Sequence, residues 1–61
     1  MDFADFEQTY AEEIELEFAK RKGIENWNGL RASARQTIIE FNKKTYDSVI
    51  YDLSLEYGVT D

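Results

Sequence analysis

The spacing of the large apolar residues constrains the fold of this chain more than any other feature. The first of them follow one another at intervals of three or four positions: Phe3, Phe6, Tyr10, Ile14 and Phe18. At 100° per residue their side chains fall within a stripe about 120° wide, which is typical of a helix with one buried face. The pattern predicts a helix over about residues 3–22.

The residues at both ends of this segment support the same helix. Asp2 is a suitable N-cap, and the negative charge of Asp5 suits the N-terminal end of the helix dipole. Residues 20–22 are all basic and lie where the last turn favours positive charge. Gly23 follows, and glycine readily adopts the left-handed conformation that ends many helices. These signals place the C-terminal end of the helix at about residue 22.

A second, longer helix is predicted over residues 33–57. Ser33 and Gln36 have the spacing of a capping box, and Gly58 and Val59 that of a helix stop. Two neighbouring rows of mostly apolar residues run along it: Ala34, Ile38, Phe41, Thr45, Val49 and Leu53, and beside them Ile39, Tyr46, Ile50 and Tyr57. The combined arc covers roughly 160–180°, more than one facing helix covers.

The intervening residues 23–32 are rich in Gly and Asn and predict a connection containing Trp27 and Leu30. The fold prediction is therefore a single all-α domain over residues 1–61, an antiparallel helical hairpin of residues 3–22 and 33–57. The predicted core is Phe6, Tyr10, Ile14, Phe18, Trp27, Leu30, Ile38, Phe41, Val49 and Leu53.

Composition limits the chemistry that this chain can carry. Its 61 residues include no cysteine and no histidine, so disulfides, thiolate ligands and imidazole groups are absent. The acidic run Glu12–Glu17 lacks the spacing of a calcium loop, and the three glycines are too far apart for a phosphate-binding loop. We therefore expect no enzymatic activity, no cofactor and no metal site. Without a signal peptide or a long apolar segment, we expect a cytoplasmic protein that does not bind membranes.

The net charge of −6 suggests one specific binding function. Asp5, Glu12, Glu13 and Glu15 lie away from the apolar stripe of the first helix. Such a surface can imitate the phosphates of DNA in an inhibitor of a DNA-binding protein. A solvated acidic face on an amphipathic helix is the simpler interpretation, because every such helix needs a polar side.

The stretch Lys20–Arg35 suggests the opposite function. It combines five basic residues with Trp27, as do segments that hold phosphates and stack bases. The overall acidity makes nucleic acid a less favoured partner, and Trp27 is better explained as a core residue. Arg31 and Arg35 are less well explained by helix stability and are candidate contacts for an acidic partner.

The pattern Trp-x-x-Leu-x-x-x-x-Arg, formed by Trp27, Leu30 and Arg35 before a long helix, also carries a resemblance. It resembles the segment that precedes the last helix in small, uncharacterised phage and bacterial helical proteins. It is similar, too, to the corresponding stretch of HMG boxes. An HMG box has three helices and a basic face, whereas this chain predicts two helices and an acidic surface. The resemblance to phage proteins implies a small accessory role.

The wide apolar arc of the second helix predicts association. A chain this small, without disulfides or a bound metal, often buries more apolar surface by forming oligomers. A two-fold dimer of hairpins would form a four-helix bundle. The predicted partner or dimer interface comprises Leu16, Ile39, Tyr46, Ile50, Tyr51 and Leu55. We expect a non-enzymatic protein-interaction module, such as a phage-type inhibitor or adaptor of a host protein, that forms a homodimer.

Overall fold

The computed structural model describes residues 2–59, which form four α-helices, one 3₁₀ turn and no strand. The α-helices are α1 (Phe3–Thr9), α2 (Ala11–Lys22), α3 (Ala32–Phe41) and α4 (Lys43–Glu56), with the 3₁₀ turn at Trp27–Gly29. We call α1 and α2 the first arm, and α3 and α4 the second arm. The all-α prediction is confirmed, and the radius of gyration of 11.5 Å is that of a compact chain.

The first arm occupies the predicted residues but bends at one position. Tyr10 has φ −111° and ψ 25°, outside the helical range, and divides α1 from α2. The hydrogen bonds nevertheless continue through the bend, because the Tyr10 N–H donates to Phe6 O and the Ile14 N–H donates to Tyr10 O, both at 2.9 Å. Asp2 caps the arm as predicted, its Oδ1 accepting from the Asp5 N–H at 2.9 Å.

Both arms end at a left-handed glycine, as the sequence predicts. Gly23 has φ 69° and Gly58 has φ 70°. After each glycine, the next N–H donates to a carbonyl five residues earlier: Ile24 N–H to Ala19 O and Val59 N–H to Ser54 O, both at 2.9 Å. This closure is the Schellman motif, which satisfies carbonyl groups that the helix end would otherwise leave unpaired.

The second arm differs from the prediction at its start and its middle. α3 begins at Ala32, so Ser33 lies inside the helix and the predicted capping box is wrong. Arg31 occupies the N-cap position without a side-chain hydrogen bond. Asn42, with φ −125° and ψ 39°, separates α3 from α4. Its N–H is shared between Ile38 O and Ile39 O at 3.1 Å each, which tightens the turn.

The core comprises these buried residues: Phe6, Ile14, Phe18, Ala19, Trp27, Ile39, Val49, Ile50 and Ser54. Of the other predicted core residues, Tyr10, Leu30, Ile38 and Leu53 pack against it partly buried. Phe41 is 85% exposed, so its assignment to the core was wrong. Helical geometry is the physical reason, because Phe41 lies about 200° around α3 from Ile39, so the helix that buries Ile39 leaves Phe41 on its outer side.

The two arms meet chiefly where α2 packs on α4. Phe18 lies at the centre of this contact, with its ring edge-on to Trp27 at 5.7 Å and to Tyr46 at 5.5 Å between centroids. Such tilted pairs contribute beyond the area they bury. The packing leaves one side of α2 and one side of α4 facing outward.

Candidate functional site

The outward side of α4 exposes two large apolar residues. Tyr51 is 57% exposed and Leu55 is 60% exposed. Lys44 and Ser48 precede them at spacings of four, three and four residues, which places all four side chains on one side of the helix. The opposite side contains Val49 and packs into the core. We call Lys44, Ser48, Tyr51 and Leu55 the outer α4 face.

Charge is distributed unevenly along α4. Lys43 and Lys44 occupy its first turn, whereas Asp52 and Glu56 lie toward its end. A helix dipole favours negative charge at the N-terminal end and positive charge at the C-terminal end. Neither α4 terminus follows this preference, since its first turn has no acidic residue and its last turn no basic residue. The charges at the two ends therefore oppose the α4 dipole.

Some of these charges have partners within the chain. Lys43 Nζ lies 3.0 Å from Asp47 Oδ1, and Asp52 Oδ2 lies 2.9 Å from an arginine of α2. Lys44 and Glu56 are exposed and form no ion pair within residues 2–59. The two ends of α4 thus carry opposite charges that are open to an external partner.

A polar cluster around Trp27 joins the two arms. The Trp27 Nε1–H donates to Glu15 Oε1 at 3.3 Å, and Arg35 Nε lies 3.8 Å from the same oxygen. The Arg35 guanidinium also donates to Leu30 O. Trp27 is only 4% exposed, and Glu15 and Arg35 are partly buried. These contacts connect α2, the 3₁₀ turn and α3, and they fix the position of the connection.

Beside this cluster is an open cleft of about 350 Å³ next to Leu16. Its lining residues are Glu12, Glu15, Leu16, Trp27, Asn28 and Arg35. Leu16 is 48% exposed and also borders two further shallow clefts along α2. It is therefore an exposed apolar residue with carboxylates beside it, separate from the outer α4 face.

At the other end of the arms, Tyr57 contacts the first arm. Its hydroxyl donates to a Glu13 carboxylate oxygen, and its ring stacks on Tyr10 with centroids 4.7 Å apart. The hydrogen bond to Glu13, the largest cause, raises the pKa of Tyr57 to about 12. Tyr57 thus attaches the end of α4 to α2, although 46% of its surface remains exposed.

The six residues predicted for an interface fall into three groups. Leu16, Tyr51 and Leu55 are exposed. Tyr46 is partly buried beside Phe18, and burial followed by the charge of Glu15 raises its pKa. Ile39 and Ile50, at 7% and 5% exposure, belong to the core of the single chain. Their assignment to a partner interface is corrected, because the chain already covers their surfaces.

Two of the five basic residues in the stretch Lys20–Arg35, Arg21 and Arg35, have partners within the chain, and the other three are exposed. Arg35 contacts Glu15 and Leu30 O, and Arg21 pairs with Asp52. The buried Trp27 ring offers no free face for stacking. Of the two arginines proposed to contact an acidic partner, Arg31 is exposed and Arg35 is partly buried.

The four carboxylates predicted as a DNA-like face do not share one environment. Asp5 and Glu12 are exposed. Glu13 is also exposed but accepts the Tyr57 hydroxyl, and Glu15 accepts from the Trp27 ring. Half of this set therefore has a structural partner.

Sequence reasoning missed two features of these surfaces. The first is the exposure of Phe41, which lies about 200° around α3 from the buried Ile39 and directly before the break at Asn42, a residue type whose side chain competes for backbone hydrogen bonds. Its Nδ2 donates to Ile38 O at 2.9 Å. The contact of Glu15 with Arg35 joins positions 20 residues apart, for which the sequence contains no local signal.

Among residues 2–59, no three acidic side chains come close enough together to bind a metal ion. None of the helices in this described part is both long enough and apolar enough to cross a membrane. Comparison with protein-family models, curated proteins and solved structures finds no match to this chain. The function is therefore inferred from its own surfaces.

Proposed function

We propose that this chain is a non-enzymatic protein-interaction module. The observation that carries the proposal is the exposure of large apolar side chains on three helices: Leu16, Phe41, Tyr51 and Leu55. Burying one such side chain against a partner contributes about 1.5–3 kcal/mol before the cost of association. Contact with another protein would bury these four side chains.

We further propose that the two arms act as a helical hairpin and that two hairpins associate into a four-helix bundle. The small size of the core supports self-association, since a chain of this length rarely supplies more than roughly 3–5 kcal/mol alone. A two-fold dimer would cover part of the surface that the arms leave exposed. In this proposal, the dimer is the form that binds other proteins.

The proposed role is that of a phage-type inhibitor or adaptor acting on a host protein. The surface around Leu16 supports a partner that offers an apolar side chain with a basic residue beside it, because the exposed Glu12 borders the cleft there. Opposite charges would orient this partner, and the apolar contact would supply most of the affinity.

The two nucleic-acid functions have less support. A DNA mimic would need its carboxylates free, whereas Glu13 and Glu15 are hydrogen-bonded within the chain. Direct binding of nucleic acid through the stretch Lys20–Arg35 would need an accessible ring beside the basic residues, whereas Trp27 is buried. Both functions remain as distinct outcomes of the experiment below.

The test is capture of host proteins on the immobilised chain and on matched variants, followed by mass spectrometry. We expect one protein to be retained by the wild type and by the control Gln8→Ser, which changes an exposed polar residue of α1. Leu16→Asp or Phe41→Asp should release it, while moderate salt should have little effect. Release by duplex DNA would indicate the mimic. If both apolar variants retain the host protein as well as the wild type does, the proposal is contradicted.

A further inference from the structure

We propose that two copies of this chain pair in antiparallel orientation along α2, with the two Leu16 side chains in contact and Lys20 of each copy beside Glu12 of the other. This inference rests on the proposed self-association and specifies its surface and direction. A second copy is a partner of the kind that the Leu16 surface supports, because it offers an apolar side chain, Leu16, with a basic residue, Lys20, one turn away.

Glu12, Leu16 and Lys20 form one row along the outward side of α2, which we call the outer α2 row. They follow one another at intervals of four, so Glu12 and Lys20 each lie about 40° around the helix from Leu16. Ile14 and Phe18 are completely buried and lie about 160° from Leu16, one on either side. The outer α2 row therefore faces directly away from the core, and all three of its residues are exposed.

The charges of this row are arranged symmetrically about Leu16. Glu12 and Lys20 carry opposite charges, and each lies about 6 Å from Leu16 along the helix axis. Neither forms an ion pair within residues 2–59. A two-fold axis at the level of Leu16 sets each Glu12 at the level of Lys20 in the other copy. The row is thus complementary to itself, which a two-fold dimer requires of its interface.

The shape of the surface also permits this contact. Rows of residues spaced by four on two helices run side by side when the helices cross at about −50°, the commonest class of helix packing. At this angle each Glu12 lies next to Lys20 of the other copy along the shared row. Clefts of about 350 and 380 Å³ border Leu16, and the second is also lined by Ala19 and Ile24. They leave room for the Leu16 side chain of the other copy.

This pairing leaves the second arm available to a host protein. The first arms of the two copies become the inner pair of the four arms. Phe41, Tyr51 and Leu55 all belong to the second arm and stay exposed in such a dimer. Self-association through the outer α2 row is therefore compatible with binding of a host protein by the dimer.

The first experiment reverses one charge and measures the dimer dissociation constant by sedimentation equilibrium. It uses physiological ionic strength, which screens the net charge of the chain beyond about 8 Å. Glu12→Lys and Lys20→Glu should each weaken the dimer about tenfold, because each replaces two symmetry-related attractions by two repulsions. Circular dichroism checks that each variant stays helical.

The matched control for the charge reversal is Lys22→Glu. It makes the same change of charge in the same last turn of α2, but Lys22 lies about 120° around the helix from Leu16. Its dissociation constant should stay within about twofold of the wild type, since the interface charges are unchanged. Equal weakening by Lys20→Glu and Lys22→Glu would show that only net charge matters, and would overturn the proposed pairing.

A double variant and a mixture test the antiparallel direction. Glu12→Lys combined with Lys20→Glu should restore the wild-type dissociation constant. An equimolar mixture of the two single variants should form a heterodimer, detected by native mass spectrometry. In a parallel dimer Glu12 would face Glu12, so the single variants would be no weaker than the wild type. Unchanged dissociation constants in both single variants would therefore refute the antiparallel pairing.

Another pair of variants tests the surface itself. Leu16→Ser should abolish the dimer and leave a folded monomer, because the side chain is 48% exposed in the single chain. Leu55→Ser is the matched control, similarly exposed but on α4, and should leave the dimer intact. A dimer that survives Leu16→Ser would refute this surface while sparing self-association. A monomeric wild type that still captures a host protein would refute the dimer but not the interaction module.

Discussion

The two arms of this molecule are both bent, yet they differ in how much apolar surface they bury. In the first arm, the bend at Tyr10 lies one turn after Phe6, and both Phe6 and Ile14 are completely buried. In the second arm, the break at Asn42 comes directly after Phe41, which is 85% exposed. The α4 helix that follows also leaves Tyr51 and Leu55 outside.

Hydrogen bonding at the two bends is similar, so the difference comes from where the apolar residues lie around each helix. The Tyr10 N–H makes one ordinary helical bond, to Phe6 O. The Asn42 N–H is shared by two carbonyls, and its side chain bonds to Ile38 O as well. The helical bonds are nevertheless kept at Asn42 as well, since its N–H reaches Ile38 O and the Tyr46 N–H reaches Asn42 O. Phe6 and Ile14 lie on the side of the first arm that faces the core, whereas Phe41 lies about 200° around α3 from the buried Ile39.

The strongest test of this comparison exchanges the same residue type in the two arms. Phe18→Ala should cost about 3–5 kcal/mol, since Phe18 is completely buried against Trp27 and Tyr46. Such a loss would unfold a domain of this size. Phe41→Ala should change the free energy of unfolding by only about 0.5 kcal/mol or less. Urea unfolding followed by circular dichroism measures both, and equal losses would contradict the burial described here.

A smaller effect is expected at the contact that joins the arms. Glu15→Ala removes the acceptor of the Trp27 ring and the ion-pair partner of Arg35. Leaving a largely buried donor unpaired should cost about 1–3 kcal/mol. Glu12→Ala, at an exposed position of the same helix, is the control and should stay within about 0.5 kcal/mol of the wild type. If the two variants unfold alike, the Glu15 contact does not stabilise the junction.

The glycines that end the two arms should respond equally. Gly23→Ala and Gly58→Ala each place a side chain in the left-handed region, at φ 69° and φ 70°. An added Cβ meets no atom within 4 Å at either position, so only backbone strain remains. Each change should cost about 1–2 kcal/mol in urea unfolding. A loss at only one position would mean that only one of these glycine ends stabilises the native state.

The smallest effect concerns alkaline pH. The Glu13 hydrogen bond raises the pKa of Tyr57 from 10.0 to about 12 in the folded chain. Its contribution is therefore fully present below pH 10 and is lost as the pH rises through about 12, since the unfolded state releases the proton first. Tyr57→Phe should show a shallower fall in unfolding temperature between these values. An identical fall in both proteins would show that this hydrogen bond does not contribute.

The helical class, the capped ends and most of the interior could be predicted from sequence, because they depend on local periodicity. Asp2, Gly23 and Gly58 act where their residue types predict. Burial in the second arm was predicted less well, since two neighbouring apolar rows run along it and periodicity does not say which row faces the core. Ile39 of the second row is buried, whereas Phe41 of the first row is exposed.

The exposure of the candidate interface residues could be predicted only where it depends on their position around a single helix. Tyr51 and Leu55 lie on the side of the predicted second helix away from its two apolar rows, and both are exposed, as expected. Ile50 was assigned to a partner because a hairpin of straight helices would not cover it, yet the chain buries it. The Glu15–Trp27–Arg35 contacts depend on tertiary packing and have no local signature.

Sedimentation equilibrium of the wild-type chain from about micromolar to millimolar concentration most directly tests the proposal that this chain forms a dimer. A dimer of about 14 kDa is expected at high concentration, twice the chain mass of 7.2 kDa, with dissociation on dilution. The unfolding temperature should rise with protein concentration, as mass action requires of a dimer. A single species of 7.2 kDa at every concentration, with a constant unfolding temperature, would contradict it.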